Sequence, residues 1–406
     1  MSFKKFILPT IILIGLLSRV FFLIYHTDVG RLDFYEYGAI AENMHKGNGY
    51  SLFYYNNDKL EIGSNEKITP YMSAFMPPGY TCIVYLFNFI NDIEIRNYSI
   101  LFLQILLSLI TIFVFFLLTK EVFNYTSALI AAVITAILPE FVYTSCLPGT
   151  TIFFHLGIGV ILLLLFRLEH SLNVNMLLIL TGITFGILIL FRSEVVLLLF
   201  LILIYYLVKK RFKHITIILF VSFIIVVPWG TRNFLVFKEV VPLSTSFGLN
   251  FYRGHNPYDI GVWADQEIVN NLLKYKDDPN FELRMNELYS NKGFENIIKN
   301  PSMEFGYVFT KLFHLWIYNP QDERTKSIFY LGPWLILIIL FLMSLNNSFS
   351  WRGQKYIYFF LIYFNLLVIF FFCLPRYQTM MKLAIIPFAG DGLRILVSKI
   401  IEKFHN

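Results

Sequence analysis

The run VVLLLFLILIYYLVKKRFKHITIILFVSFIIVV, residues 195–227, decides the fold. Two apolar stretches, 195–208 and 214–227, flank the basic knot KKRFKH at 209–214. Greasy segments that sandwich a cluster of cations read as a hairpin of membrane helices whose turn sits at the lipid–water boundary. Short loops rich in lysine and arginine stay on the cytoplasmic side, so the knot also fixes orientation.

Outward from that hairpin the pattern repeats. The chain has 406 residues, 57% hydrophobic and 15% charged, against about 25% charged in a soluble domain. About ten apolar runs are long enough to be read as spans: 6–25, 98–118, 126–143, 151–166, 175–191, 194–208, 214–228, 328–345, 356–374 and 379–397. Lys4/Lys5, Lys120, Arg167, Arg352/Lys355 and Lys399/Lys403 fall on the same side as KKRFKH only if the stretch 79–90 does not cross. At about 12 residues it covers about 18 Å, short of a roughly 30 Å core. It reads as a re-entrant or surface helix, and both termini as cytoplasmic. The first run lacks a small-residue cleavage site and reads as a retained helix. Residues 303–318 place Phe305, Val308, Phe309, Leu312, Phe313, Trp316 and Ile317 on one helical face, the pattern of a helix lying in the interface.

The expected fold is therefore an all-α polytopic membrane protein with its chemistry on the outer face. Three regions follow: an N-terminal transmembrane module (1–228), an outer loop and helical segment (229–327), and a C-terminal transmembrane module (328–406). The +6 net charge lies in short loops, where it orients helices and does not indicate a nucleic-acid partner. Cys82, Cys146 and Cys373 are odd in number and far apart, so they imply neither a disulfide framework nor a metal site.

Two long segments remain outside, 26–97 and 229–327. The first opens with RLDFYEYGAIAENMHKGNGY (31–50). Asp33 and Glu36 have capping-box spacing ahead of a short helix that Gly47 closes. A carboxylate held ionised at a helix N-terminus can also take a proton from a substrate hydroxyl. Then come a polar loop with Asp58, Glu61, Glu66 and Lys67, and the rigid turn MPPGY (76–80).

Asp33, Tyr37, Ala41, Gly47, Gly49 and Tyr50 of the first loop are followed by PPGY (77–80), RSE (192–194), PWGTRNFLVFKEVVPLSTSFGLNFYRGHNP (228–257) and RY (376–377). In this order they resemble the C-type membrane glycosyltransferases, in particular bacterial relatives of protein O-mannosyltransferases and of the lipid A aminoarabinose transferase. The resemblance covers nearly the whole chain, and PW-x-x-RN…PLST…G-x-N…G-x-NP is its most specific part. It implies transfer of a sugar from a polyprenyl-phosphate donor to a glycan, lipid or protein acceptor on the outer face of the cytoplasmic membrane, with Asp33 as the catalytic residue. The chain departs from the family where relatives often carry a glutamate near the third and fourth spans: Gly149–Thr150 stand there, and the nearest acid is Glu140. RYQTMMKLAIIP also replaces an RYR followed closely by prolines.

Such a reaction needs a base near the acceptor hydroxyl and cations on the leaving phosphate. Arg192, Arg232, Arg253 and Arg376 supply guanidinium groups, which bind phosphate oxygens in bidentate fashion. Arg19, Glu36, Glu140, Glu194, His255 and Tyr377 complete the candidate substrate-binding set. Each has a plainer reading: Arg192 and Glu194 pair at a hairpin tip, Arg232 anchors beside Trp229, His255 satisfies a loop backbone, Arg376 and Tyr377 form a headgroup-level belt, Glu140 is a polar turn residue, and Arg19 snorkels to the surface. Asp391, inside an apolar run, pairs with a neighbouring helix. No Walker-type or dinucleotide loop and no HxxxH or HExxH pattern occurs, so neither cofactor nor metal is implied. A transporter would show repeated halves and midplane charges, whereas no internal repeat is visible and the span interiors are poor in charge; a polymerase or ligase acting on lipid-linked glycans shares the topology and the arginines.

Overall fold

The computed structural model describes residues 4–258, 260–261, 266–320, 325 and 327–405. Helix α1 (Lys4–His26) leads into α2 (Tyr35–His45), a hairpin of β1 (Phe53–Asn56) and β2 (Lys59–Ile62), and α3 (Pro78–Phe87). A bundle follows: α4 (Ile93–Val122), α5 (Tyr125–Ile137), α6 (Pro139–Ser145), α7 (Thr151–Leu168), α8 (Val174–Phe191), α9 (Val195–Val208) and α10 (Phe212–Phe237). Next are α11 (Phe247–Gly254), α12 (Gln266–Leu272), α13 (Phe281–Lys299) and α14 (Pro301–Trp316). The chain closes with α15 (Ile328–Ser348), α16 (Trp351–Phe370) and α17 (Pro375–His405).

The protein is a multi-pass, helical membrane protein. Among the described residues seven helices are individually long and apolar enough to cross, and α5 with α6, bent by 55°, makes an eighth where the pair is taken as one span. The remaining two expected spans are helical but differ in character. At 14 residues α9 reaches only about 21 Å, and α17 carries Lys382, Asp391 and Arg394 within its apolar run. The short helix α3 packs on α2 and α8.

The basic loops meet at one end. Arg167 pairs with Glu121 at 2.8 Å, Arg211 with Glu169 at 3.0 Å, and Lys355 with the same Glu169 at 3.3 Å. Lys399 reaches Asn347 at the same end of the bundle. A positive-inside pattern scattered along the sequence thus becomes a single cationic end.

At the opposite end the two long polar segments build a crown with its own apolar core. Ile40, Leu52, Phe53 and Phe75 from the first segment pack with Trp229, Tyr252, Phe281 and Tyr289 from the second. The region 51–68 is a hairpin and not merely a polar loop. Asn57 and Asp58 take φ of 48° and 62°, the two left-handed positions a tight two-residue turn requires, and Tyr54 pairs with Glu61 across the strands. Arg232 locks the segments together. It donates to the carbonyls of Ser73 (2.6 Å) and Tyr50 (3.0 Å) while its guanidinium lies 5.3 Å and 5.1 Å from the centres of the Tyr50 and Trp229 rings.

Helix α14 is amphipathic as its spacing predicts. Phe305, Phe309 and Phe313 are exposed, as suits a face meant for lipid. Lys311, His314 and Leu315 are buried against the protein, so its polar residues point inward.

Candidate functional site

Glu36 and Tyr37 on the first turn of α2, Arg192 and Glu194 in the α8–α9 turn, Arg253 on α11, and Arg376 and Tyr377 at the start of α17 converge at the crown end. Arg192, Arg376, Glu194 and Glu36 are electrostatic neighbours of the Tyr37 hydroxyl. Arg253 has Tyr377, Arg376 and Glu36 around it. Arg192 is buried and ion-paired with Glu194, and its guanidinium lies 5.4 Å from the Phe154 ring centre and 5.6 Å from that of Tyr377. Arg253 sits 4.5 Å over the Phe372 ring and donates from Nε to the Gly261 carbonyl at 2.9 Å. Arg376 is exposed, 5.9 Å from the Tyr377 ring.

Among the described residues neither Arg253 nor Arg376 has a carboxylate at ion-pair distance. Two neighbouring guanidinium groups are therefore uncommitted to an acid, an arrangement suited to an anion. Burial lowers the pKa of Arg253, and the neighbouring Arg376 lowers it further, while Tyr377 and Glu36 oppose. Burial raises the pKa of Tyr37, which keeps its hydroxyl a hydrogen-bond donor.

Asp33 is exposed and precedes Glu36 by three residues in the chain. Its Oδ1 accepts from the Tyr35 N–H at 2.6 Å. The capping box does not form: α2 is capped at Phe34 without a side-chain bond, because Tyr35 turns through φ 51° and delays the helix. Asp33 instead closes a local turn.

Four other candidates lie elsewhere. Arg19 is fully buried and donates to Ser108 Oγ (2.6 Å), Gly15 O (2.9 Å), Ala136 O (2.8 Å) and Thr135 O (3.4 Å). It does not snorkel. Pro139 has no N–H to offer Thr135 O, and the bend leaves Ala136 O unserved as well, so Arg19 satisfies carbonyls freed by the helix break. Glu140 is ion-paired with the buried Lys382 and accepts from Thr379 at 3.3 Å. The Lys382 ammonium also lies 4.7 Å and 4.8 Å from the Tyr330 and Trp334 rings. Arg232 is the crown lock already described. His255 contacts Glu304 through Nδ1 (2.7 Å) and the Phe370 carbonyl through Nε2 (3.0 Å).

Sequence reasoning passed over Lys382, although a lysine within MMKLAIIP is a charge in an apolar run, the same signal that marked Asp391. Asp391 itself accepts from Arg394, Ser127 and Ser344. Tyr363 was also missed. Its hydroxyl is buried without a hydrogen-bond partner among the described residues, within electrostatic reach of Glu194, Arg192 and Tyr377, and nothing distinguishes it in sequence from the packing aromatics around it. No group of three His, Cys, Asp or Glu side chains suited to a metal occurs among the described residues.

A family model described as dolichyl-phosphate-mannose-protein mannosyltransferase matches residues 76–231. That region holds the PPGY turn, the Arg192–Glu194 turn and the start of the PWGTRN segment. No curated protein matches the chain in sequence. Among solved structures, the oligosaccharyltransferase AglB of Archaeoglobus fulgidus, in complex with an inhibitory peptide and a dolichol-phosphate, aligns with a TM-score of 0.60 at 15% identity, over 98% of this chain and 51% of that one. The same organism's oligosaccharyltransferase in complex with Zn and sulfate aligns at 0.57 and 17% identity, over 97% and 49%. The chain thus spans about half the length of these archaeal enzymes. ArnT from Cupriavidus metallidurans bound to undecaprenyl phosphate aligns at 0.44 and 12% identity, over 96% and 77%. In fold, and in sequence over 76–231, the protein is similar to the polytopic C-type membrane glycosyltransferases.

Proposed function

We propose that the protein transfers a sugar from a polyprenyl-phosphate-linked donor to an acceptor hydroxyl at the outer face of the cytoplasmic membrane. The observation that carries this reading is the meeting of Arg253 and Arg376, unpaired by any acid among the described residues, with the first-loop carboxylate Glu36 at the end opposite the cationic loops. A phosphate at the membrane surface is the anion such a site suits, and a lipid-linked one arrives from the bilayer.

In the reaction the acceptor oxygen attacks C1 of the sugar, the bond from C1 to the phosphate oxygen breaks, and the acceptor proton moves to a carboxylate. Asp33 is the base by resemblance, and Glu36 is the first-loop carboxylate that lies near the arginines. General-base assistance is worth about 10²–10⁴-fold. Arg253 and Arg376 hold the phosphate as its charge grows, and Arg192, already balanced by Glu194, orders the cluster through Phe154 and Tyr377.

The test supplies membranes containing the protein with radiolabelled polyprenyl-phosphate sugars and follows label into lipid, glycan and protein fractions. Transfer that falls at least about 100-fold in Asp33→Asn, with the variant still inserted and folded, supports the assignment. A comparable fall in Glu36→Gln but not in Asp33→Asn moves the base to Glu36. Absence of transfer from every donor tried counts against the reading and in favour of a lipid-linked glycan polymerase or a transporter.

A further inference from the structure

We propose that His255 is a positioning residue: with Glu304 it pins the Gly254–Asn256 turn to the end of α16 and so sets Arg253 against Arg376. The proposal rests on the reading that the arginine cluster binds a lipid-linked phosphate.

Five contacts fix the turn. Gly254 lies so close to α16 that a Cβ there would sit 1.9 Å from the Phe371 carbonyl oxygen. His255 Nε2 meets the Phe370 carbonyl at 3.0 Å and Nδ1 meets Glu304 Oε2 at 2.7 Å. Asn296 of α13 donates to the His255 carbonyl at 3.0 Å, and the Tyr307 hydroxyl of α14 donates to the Asn256 carbonyl at 2.9 Å. Arg253 is two residues before His255, and the Phe372 ring beneath its guanidinium is two residues after Phe370. The clamp thus joins the two strips of chain that place Arg253, and α17 with Arg376 begins just beyond them. Neither ring nitrogen is left to meet a substrate.

The chemistry of the clamp is specific. Both ring nitrogens face acceptors, and only the imidazolium donates to both. A neutral ring leaves one lone pair pointed at a carboxylate or a carbonyl, unless Glu304 itself carries the proton. The charged groups facing the ring are Glu304 and Lys311, both on α14; α13 presents the uncharged Asn296, α16 only the Phe370 carbonyl, and Arg253 on the imidazole's own helix is turned to Phe372 and Gly261. Burial and the Lys311 ammonium lower the pKa of His255, while Glu304 and the Phe370 carbonyl raise it. The second proton is therefore lost on the acid side of the ordinary histidine value, and lipid-phosphate affinity falls as pH rises through that titration. In Glu304→Gln the amide N–H donates to Nδ1 of a neutral ring, so the clamp holds with a single ring proton and the pH dependence flattens.

The experiment measures binding of undecaprenyl phosphate to the detergent-solubilised full chain between pH 5 and 8, with amide hydrogen exchange at residues 253–256 read in parallel. Expected are a loss of affinity of about tenfold and faster exchange in both His255→Ala and Glu304→Ala. Glu304→Gln restores affinity and protection with a flat pH profile, and Arg253→Ala combined with His255→Ala is no weaker than Arg253→Ala alone. Wild-type affinity in His255→Ala, a Glu304→Gln that behaves as Glu304→Ala, or additive losses in the double variant each overturn the proposal. If the wild type itself does not bind the lipid phosphate, the reading of the arginine cluster fails and the positioning role falls with it, whatever the exchange data show.

Discussion

At the scale of single residues, buried charge decides what each ionisable group can do. Arg192, Arg232 and Arg19 looked alike in sequence, as guanidinium groups near the ends of apolar runs. One is balanced by an acid, one is spent on crown carbonyls, and one serves a broken helix. Glu282 shows the same logic for a carboxyl. It is buried among donors, accepting from Ser73 Oγ (2.6 Å), Ala74 N (2.7 Å) and Thr245 Oγ1. Burial pushes its pKa up to about 7, against those three hydrogen bonds and the Arg232 charge, which pull it down. Because the folded value lies above the unfolded one, the folded state holds this proton between about pH 4.5 and 7 while the unfolded chain releases it. Stability is thus highest below that window and falls by about 3 kcal/mol as pH rises through it. Apparent melting temperatures of the detergent-solubilised protein should decline from pH 5 to pH 8, and Glu282→Gln should flatten the decline. An unchanged slope in the variant assigns the pH dependence to other groups.

At the scale of elements, two departures from regular helix matter most. The expected span 126–143 is bent where Pro139 interrupts it, and the guanidinium of α1 closes the gap left in the backbone. Replacing Arg19 by Met keeps the volume and removes the guanidinium donors, leaving the Thr135 carbonyl unserved and the Ala136 carbonyl with only the 3.4 Å bond from Ser18 Oγ. A loss of about 3 kcal/mol is expected, read as a lowered melting temperature with donor KM unchanged. A raised KM at unchanged stability would instead return Arg19 to the substrate-binding set. Helix α14 illustrates the second departure. Its spacing announced an amphipathic helix, but Lys311 on its polar side is not solvated: it donates to the Ile369 carbonyl at 3.0 Å and burial lowers its pKa to about 8. The polar face is an internal docking face because α16 and the crown lie on that side.

At the scale of the whole molecule, opposite ends of the bundle carry opposite tasks. Glu121, Glu169 and their cationic partners tie the loops of one end, while a separate apolar core holds the crown at the other. Sidedness follows as a prediction. Cysteines placed at Lys210 and at Asn57 in a chain whose own cysteines are replaced should react with a membrane-impermeant thiol reagent from opposite sides. In intact cells only the Asn57 position should label. Labelling of both from one side would contradict a bundle whose two ends face different compartments.

The sequence by itself determined the membrane class and where most of the apolar helices lie along the chain, together with the amphipathic pattern of 303–318. Those features are local: spans come from runs of apolar residues, and interfacial helices from a period of about 3.6. Partnership is not local. Whether Arg253 meets Arg376, whether Glu140 meets Lys382, and whether Arg19 faces lipid headgroups or the carbonyls of residues 135 and 136 depends on contacts between positions far apart in the chain. In an apolar interior each buried charge takes whatever donor or acceptor the packing brings near, because leaving it bare costs several kcal/mol. Only the tertiary structure fixes that choice, and with it which arginines remain uncommitted to hold an anion.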